Sequence, residues 1–232
     1  MKCGISLSIK PEYNTWGDFL FREYVSFFEK LGIKVVFIPN SISDVSLYMK
    51  KMTLEGIILS GGNDIIVPAK DRQKHYISSI RNLQEKKILG AAIKMKMPVL
   101  GICRGMQFIN YYFGGTITRD IDEITGIPSG HVKTVHGIII EDQRLISLLK
   151  RKAIKVNSYH RQGVFEDQLS PRLKIAARSG SDGLIEALYH PLLPVMGIQW
   201  HPERKSPDNA ANKKIIMAFK NRVSYWSGKG CV

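Results

Sequence analysis

The sequence predicts an α/β fold with a mainly parallel sheet flanked by helices. Three observations carry that prediction. Short apolar or β-branched runs alternate with helix-periodic stretches through the first hundred residues, an order that demands crossover connections. Two of the apolar runs end in small or polar residues poised at a strand end: Gly101-Ile102-Cys103-Arg104-Gly105 and Gly197-Ile198-Gln199-Trp200-His201-Pro202-Glu203. The chain has 232 residues at 44% hydrophobic content, enough for one sizeable core. No repeat, low-complexity tract or linker divides it, so 1–232 reads as a single domain.

Each element has its own signal. Residues 2–9 alternate as a first strand. Residues 16–31 place Phe19, Leu20, Tyr24, Phe27, Phe28 and Leu31 at helical spacing and stop at Gly32. Residues 33–38 are a β-branched run ended by Pro39-Asn40, a strand. A short helix over 43–51 leads to a strand at 55–60, which ends in Gly61-Gly62. One long helix, or two, over 71–97 feeds the buried strand 99–102, with Pro98 closing the helical pattern. A helix follows Cys103 and ends at Gly114-Gly115. The stretch 116–140 reads as short strands, a small antiparallel addition. A helix near 142–151 and a strand at 153–158 precede a turn at 159–163. Strands near 172–178, 183–189 and 194–199 and a helix over 207–226 complete the chain.

Composition narrows the function. Three cysteines, at positions 3, 103 and 231, are too few and odd in number for a disulfide framework, and they point to the reducing cytoplasm. The N-terminal run is too short and polar for a signal peptide, and nothing is apolar enough to span a membrane. The net charge is +14. The lysines lie along helical stretches without the aromatic interleaving that stacks bases, so no nucleic acid is expected as a partner. The charge instead suits an anionic small substrate, or simply a solvated surface.

Cys103 lies where a buried strand turns sharply into a helix, with glycines on both sides. Such a turn exposes the sulfur, and the helix N-terminus favours its thiolate. A free cysteine is more often a small core residue, but a core would not need both glycines. A thiol nucleophile requires a base, and His201 at a second strand end is the candidate, with Glu203 to orient its ring. Backbone N–H groups of Gly61, Gly62 and Arg104 are candidates for stabilising an oxyanion. His131 and His136 find no further ligand near them in the sequence, so neither metal nor cofactor is expected.

Together the motifs around Cys103, Ser60-Gly61-Gly62 and Gln199–Glu203 resemble the class I glutamine amidotransferase family. The run Val156-Asn157-Ser158-Tyr159-His160-Arg161-Gln162, with Asp182-Gly183-Leu184-Ile185-Glu186-Ala187, resembles its peptidase C26 branch of γ-glutamyl hydrolases. Arg81 and Glu85 match a helix pattern of that branch. The resemblance covers roughly residues 55–203. It implies a flavodoxin-like sheet and an amidohydrolase of linear amides with a Cys103–His201–Glu203 triad. It also implies that Gln107, Asn157, Ser158, Tyr159 and His160 line a γ-glutamyl pocket. Two departures stand out: the segment Asn63–Asp71 is shorter than in many members, and Asn82 replaces a common aspartate. Arg104, Arg161, Arg204 and Lys205 flank the motifs and suggest an anionic substrate. One similar subgroup hydrolyses γ-glutamyl-CDP-amidate in capsule phosphoramidate synthesis, which makes that nucleotide-linked compound the preferred expectation. The alternatives are a γ-glutamyl-γ-aminobutyrate-type hydrolase, a glutaminase subunit feeding a partner synthetase, or a non-enzymatic binding module. A monomer or homodimer is expected.

Overall fold

The computed structural model describes residues 1–13, 15–65, 70–126 and 130–227. Cys231 lies outside them, as do residues 66–69 of the short Asn63–Asp71 segment.

The elements run β1 (Lys2–Ser6), β2 (Ser8–Glu12), β3 (Thr15–Phe19), α1 (Arg22–Lys30), β4 (Lys34–Ile38), α2 (Val45–Lys51), β5 (Gly56–Leu59), α3 (Arg72–Lys94), β6 (Val99–Ile102) and α4 (Arg104–Tyr112). There follow α5 (Ile121–Thr125), β7 (Val132–Ile140), α6 (Gln143–Leu149), β8 (Ala153–Tyr159), β9 (Lys174–Ser179), β10 (Ile185–Tyr189), β11 (Val195–Ile198) and α7 (Asn209–Lys220). Nine strands form one sheet in the order β4-β1-β5-β6-β11-β10-β9-β7-β8. Its first five strands are parallel, and β10, β9, β7 and β8 extend it antiparallel. This is the expected fold class. A separate antiparallel pair, β2 and β3, stands beside it.

Side chains of the central strands alternate between two cores, as a sheet covered on both faces requires. Cys3, Ile5, Ile58, Leu100 and Ile198 pack with Phe28 of α1 and Ile215 and Phe219 of α7. Ile57, Leu59, Val99 and Val195 pack with Met49 of α2, Ile88 of α3 and Met106 and Ile109 of α4. Each fully buried aliphatic or aromatic side chain contributes about 1.5–3 kcal/mol. Glycines seat α4 against the sheet. A Cβ on Gly101 would lie 2.6 Å from the Gly105 carbonyl carbon, and one on Gly105 would lie 2.1 Å from the Leu59 carbonyl oxygen. That close approach puts the N-terminus of α4 at the carboxyl ends of β5 and β6.

Three element expectations need correction. The helix expected over 16–31 begins only at Arg22, because Trp16–Phe19 pairs with Ser8–Pro11 as a hairpin that turns at Tyr13, at φ 42°. Its apolar residues satisfied helical spacing and strand pairing equally. The stretch 116–140 holds the short helix α5, capped by Asp120, and then one nine-residue strand. The last helix stops at Lys220, since Arg222 and Ser224 adopt positive φ before a short 3₁₀ turn over Ser224–Trp226. Among the described residues no helix is long and apolar enough to cross a membrane.

Candidate active site

β6 and β11 are parallel neighbours in register, Ile102 opposite Ile198, so Cys103 and the Gln199–Glu203 run leave the sheet side by side. Cys103 has φ 53° and ψ −108°, a conformation that L-residues rarely adopt and that costs ~1–3 kcal/mol. It caps α4 and sits below the N–H groups of the first helical turn.

His201 and Cys103 meet beside Gly61, where a Cβ would lie 2.9 Å from His201 Cε1 and 3.6 Å from Cys103 Cβ. His201 Nδ1 lies 2.5 Å from Glu203 Oε1. Burial alone would lower the imidazole pKa, but Glu203 and Cys103 outweigh it and push it up to about 10. The ring stands edge-on to Tyr159 at 5.8 Å. Gly61 completes the enclosure, since a Cβ there would lie 2.9 Å from His201 Cε1 and 3.0 Å from the Tyr24 hydroxyl. The Gly61 N–H donates to that hydroxyl at 2.9 Å. Gly62, at φ 124°, follows directly.

A cleft of ≈ 460 Å³ opens over Cys103, and Gly62, Arg104, Gln107, Tyr159, His160 and Arg161 line it. Arg119, Asp64 and Asp120 also reach it. A larger cleft of ≈ 800 Å³ lies between α3 and α4 and contains none of the candidate catalytic residues.

Two expected pocket residues do other work. Asn157 is buried and clamps the backbone of His201: its Nδ2 donates to the His201 carbonyl at 2.8 Å, and its Oδ1 accepts the His201 N–H at 2.9 Å. Ser158 is fully buried and its hydroxyl contacts His131 and His160. Successive side chains of a strand point to opposite faces, so Asn157 reaches the His201 backbone while Ser158 reaches the two histidines.

The arginines need correction too. The Arg104 side chain turns away from the cleft into the protein, where Nη1 pairs with Glu85 and Nη2 donates to Asn82 Oδ1 at 2.6 Å. Its backbone N–H, in the first turn of α4, is the part of Arg104 that remains a candidate for the oxyanion. Arg204 stacks on Tyr159, 4.5 Å from the ring centroid. Arg161 and Arg119 are exposed at the cleft.

Sequence reasoning missed Gln199, whose Nε2 lies 3.6 Å from Cys103 Sγ and whose Oε1 accepts from Gln107 Nε2 at 3.2 Å. Gln107 also donates to the Gln162 carbonyl at 2.7 Å. It also left the role of Arg81 open. That side chain is fully buried and donates to the carbonyls of Ser60 at 2.8 Å and Gly61 at 3.0 Å, holding the candidate oxyanion turn in shape. Glu85 accepts from Arg81, Arg104 and Ser6. Finally, His131 and His136, for which no ligand was expected nearby, converge with His160 and Glu186 below the cleft.

Comparison with known proteins agrees with this architecture. Two solved structures share the fold. A glutamine amidotransferase from Thermotoga maritima superposes with a TM-score of 0.59 at 14% identity, over 95% of this chain and 82% of that one. A glutamine amido transferase from Methylobacillus flagellatus does so at 0.57 and 15%, over 88% and 70%. In sequence, the chain is 30% identical to protein NtpR of Enterococcus hirae over 204 residues, 81% of this chain and 82% of that one. It is 29% identical to the γ-glutamyl-γ-aminobutyrate hydrolase PuuD of Escherichia coli (strain K12) over 217 residues, 85% and 84% of the two chains. The peptidase C26 family matches residues 6–203, and the chain belongs to that family.

Proposed function

We propose that this protein hydrolyses a γ-glutamyl amide, with Cys103 as nucleophile, His201 as acid and base, and Glu203 as the partner that orients it. The observation that supports this reading is the His201–Glu203 contact beside Cys103, where β6 and β11 end as paired parallel strands. The PuuD relative, by its name, acts on a γ-glutamyl amide.

In the first half-reaction the Cys103 thiolate attacks the γ-carbonyl carbon. The C–S bond forms, and the carbonyl electron pair moves onto oxygen, toward the N–H groups of Gly62 and Arg104. The pair returns as the C–N bond breaks, and the departing nitrogen takes its proton from imidazolium His201. The product is a γ-glutamyl thioester. In the second half-reaction His201 removes a proton from water, whose oxygen attacks the thioester. Collapse breaks the C–S bond, releasing glutamate and restoring the thiolate–imidazolium pair.

The leaving group in this reading is anionic. Arg161 and Arg119 stand exposed at the cleft and the chain carries a +14 charge, which suits a phosphate-bearing group such as that of γ-glutamyl-CDP-amidate. The test is glutamate release by the isolated protein from γ-glutamyl-CDP-amidate, γ-glutamyl-γ-aminobutyrate and glutamine. Release from neither γ-glutamyl compound, with glutamine turned over only beside a synthetase, would replace this reading with an ammonia-supplying subunit.

A further inference from the structure

Below the cleft, three side chains from separate parts of the chain meet out of water. His131 directly precedes β7, His160 directly follows β8, and Glu186 lies in β10. All three are buried, and one ligand atom from each falls within 4.8 Å of the others. The backbone fixes the first two, because the His160 N–H donates to the His131 carbonyl at 2.9 Å.

Hydrogen-bond accounting shows what the cluster presents. His131 Nε2 lies 2.7 Å from Asp182 Oδ2, so that nitrogen is a donor, and in the neutral ring Nδ1 keeps a lone pair. His160 Nδ1 lies 3.1 Å from the Gln162 carbonyl oxygen, an acceptor only, so its Nε2 is left with a lone pair. Those two free nitrogens stand 3.9 Å and 4.0 Å from Glu186 Oε1. The Ser158 hydroxyl reaches both, at 3.3 Å and 3.0 Å, yet its single proton is also called on by the His131 carbonyl at 2.9 Å. Glu186 is fully buried, and its Oε2 has no hydrogen-bond partner among the described residues. Converging lone pairs around a buried carboxylate are an arrangement that a cation satisfies.

We propose that His131, His160 and Glu186 form a binding site for a divalent transition-metal ion of the zinc class, separate from Cys103 and His201. Two imidazoles and one carboxylate are a donor set that zinc favours, and the Ser158 hydroxyl is at hand as a fourth oxygen. An ion midway among the three atoms would sit roughly 2.3–2.5 Å from each, against ~2.0–2.2 Å in formed zinc sites, so the side chains need close in by only tenths of an ångström. The outer contacts are those that metal-bound histidines use: a carboxylate on His131 and a backbone carbonyl on His160. His136 Nε2, 3.1 Å from Glu186 Oε1, orients the carboxylate. The bound ion would tie β7, β8 and β10 together beneath His160, which lines the cleft.

The test uses the full chain carrying Cys103→Ser, so that the catalytic thiol cannot capture the metal. Chelator-treated protein is titrated with Co²⁺ and followed by its visible absorption. The expected result is one equivalent bound, with d–d bands of a nitrogen and oxygen site, no thiolate charge-transfer band, displacement by Zn²⁺, and a rise in Tm with either ion. Glu186→Gln should abolish the spectrum. Asp182→Asn, which touches no proposed ligand atom facing the ion, should weaken binding ~10–100-fold. Circular dichroism checks that both variants fold, and anomalous diffraction from a Co²⁺-soaked Cys103→Ser crystal locates the ion if they do not. Absence of the spectrum from the Cys103→Ser protein, a spectrum indifferent to both substitutions, or an ion located elsewhere would overturn the proposal.

Discussion

Glu203 Oε1 stands 2.5 Å from His201 Nδ1, two residues along the same chain and just past the end of β11. The carboxylate therefore accepts one N–H of the ring and fixes its orientation. Because the pair is buried, the contact governs both the orientation of the ring and its charge.

Glu203→Gln should lower kcat by on the order of 10²–10⁴-fold while leaving KM nearly unchanged, and His201→Ala should cost more, nearly as much as losing Cys103. The stability signature has a definite sign. The His201 pKa is raised from 6.5 to about 10 in the folded protein. Its stabilisation is therefore complete below the unfolded value and is lost as pH rises through the folded one. The Tm gap between wild type and Glu203→Gln should be widest below pH 6.5 and close toward pH 10. A gap that widened with pH would show that Glu203 does not act through the imidazolium.

Cys103 offers a comparison free of the thiol's own chemistry. Cys103→Ala and Cys103→Gly should both abolish turnover. Only glycine relaxes the φ 53°, ψ −108° backbone, so Cys103→Gly should be the more stable of the two. Strain relief of ~1–3 kcal/mol less a glycine entropy cost of ~0.5–1 kcal/mol leaves a gain of about 1 kcal/mol in denaturant melts. In the wild type, a glutamine-mimicking electrophile at neutral pH should label Cys103 and spare Cys3, whose thiol burial pushes up to about 12.

Two buried guanidiniums, Arg81 and Arg104, share one carboxylate, Glu85. Burial opposes ionisation of Glu85, yet Arg104 and Arg81 hold its pKa below the ordinary value. Its contribution is then present above the unfolded pKa and lost as pH falls through the depressed folded value. Glu85→Gln should destabilise by ~3–5 kcal/mol at neutral pH, the cost of leaving buried charge uncompensated, and should flatten the acid limb of the stability profile. Asn82→Asp supplies a second carboxylate to Arg104 Nη2 and should raise Tm. A neutral Glu85→Gln substitution would mean that the guanidiniums find water instead.

Among the described residues, Gln199 is the one side-chain amide that reaches the sulfur, at 3.6 Å. Gln199→Leu removes that donor without adding bulk, and should slow alkylation of Cys103 by about an order of magnitude by destabilising its thiolate. An unchanged alkylation rate would assign Gln199 to packing.

Much of this was legible in the sequence because local chemistry dictated it. A cysteine between Gly101 and Gly105 needs the close helix–sheet approach that those glycines permit, and the short apolar run before His201 reads as a buried strand that ends near it. Trp16–Phe19 was misread because its spacing fits helix and strand alike, and only pairing with Ser8–Pro11 decides between them. The direction of the Arg104 guanidinium was hidden for a different reason. Its partners Glu85 and Asn82 lie on α3, about twenty residues upstream, and their meeting depends on how α3 and α4 pack. The same holds for His131, His160 and Glu186, brought together by antiparallel pairing of β7, β8, β9 and β10.

The substrate prediction now rests on fewer arginines than the sequence suggested, which sharpens its test. With Arg104 committed to Glu85 and Arg204 stacked on Tyr159, Arg161 and Arg119 are the exposed arginines at the cleft. Exposed charges are screened over about 8 Å at physiological salt. Raising ionic strength should therefore lower kcat/KM for a phosphate-bearing γ-glutamyl substrate and leave that for neutral glutamine nearly flat. Arg161→Ala should raise KM for the phosphate-bearing substrate several-fold without changing kcat, as expected of a contact to the leaving group made equally before and during reaction. Arg161→Lys should recover only part of that loss, since an ammonium lacks the bidentate fork. Arg119→Ala should act alike, and the double variant should remove the salt effect. A preference for γ-glutamyl-γ-aminobutyrate over γ-glutamyl-CDP-amidate, insensitive to salt and to both substitutions, would return the leaving group to a small amine and leave the +14 charge as surface.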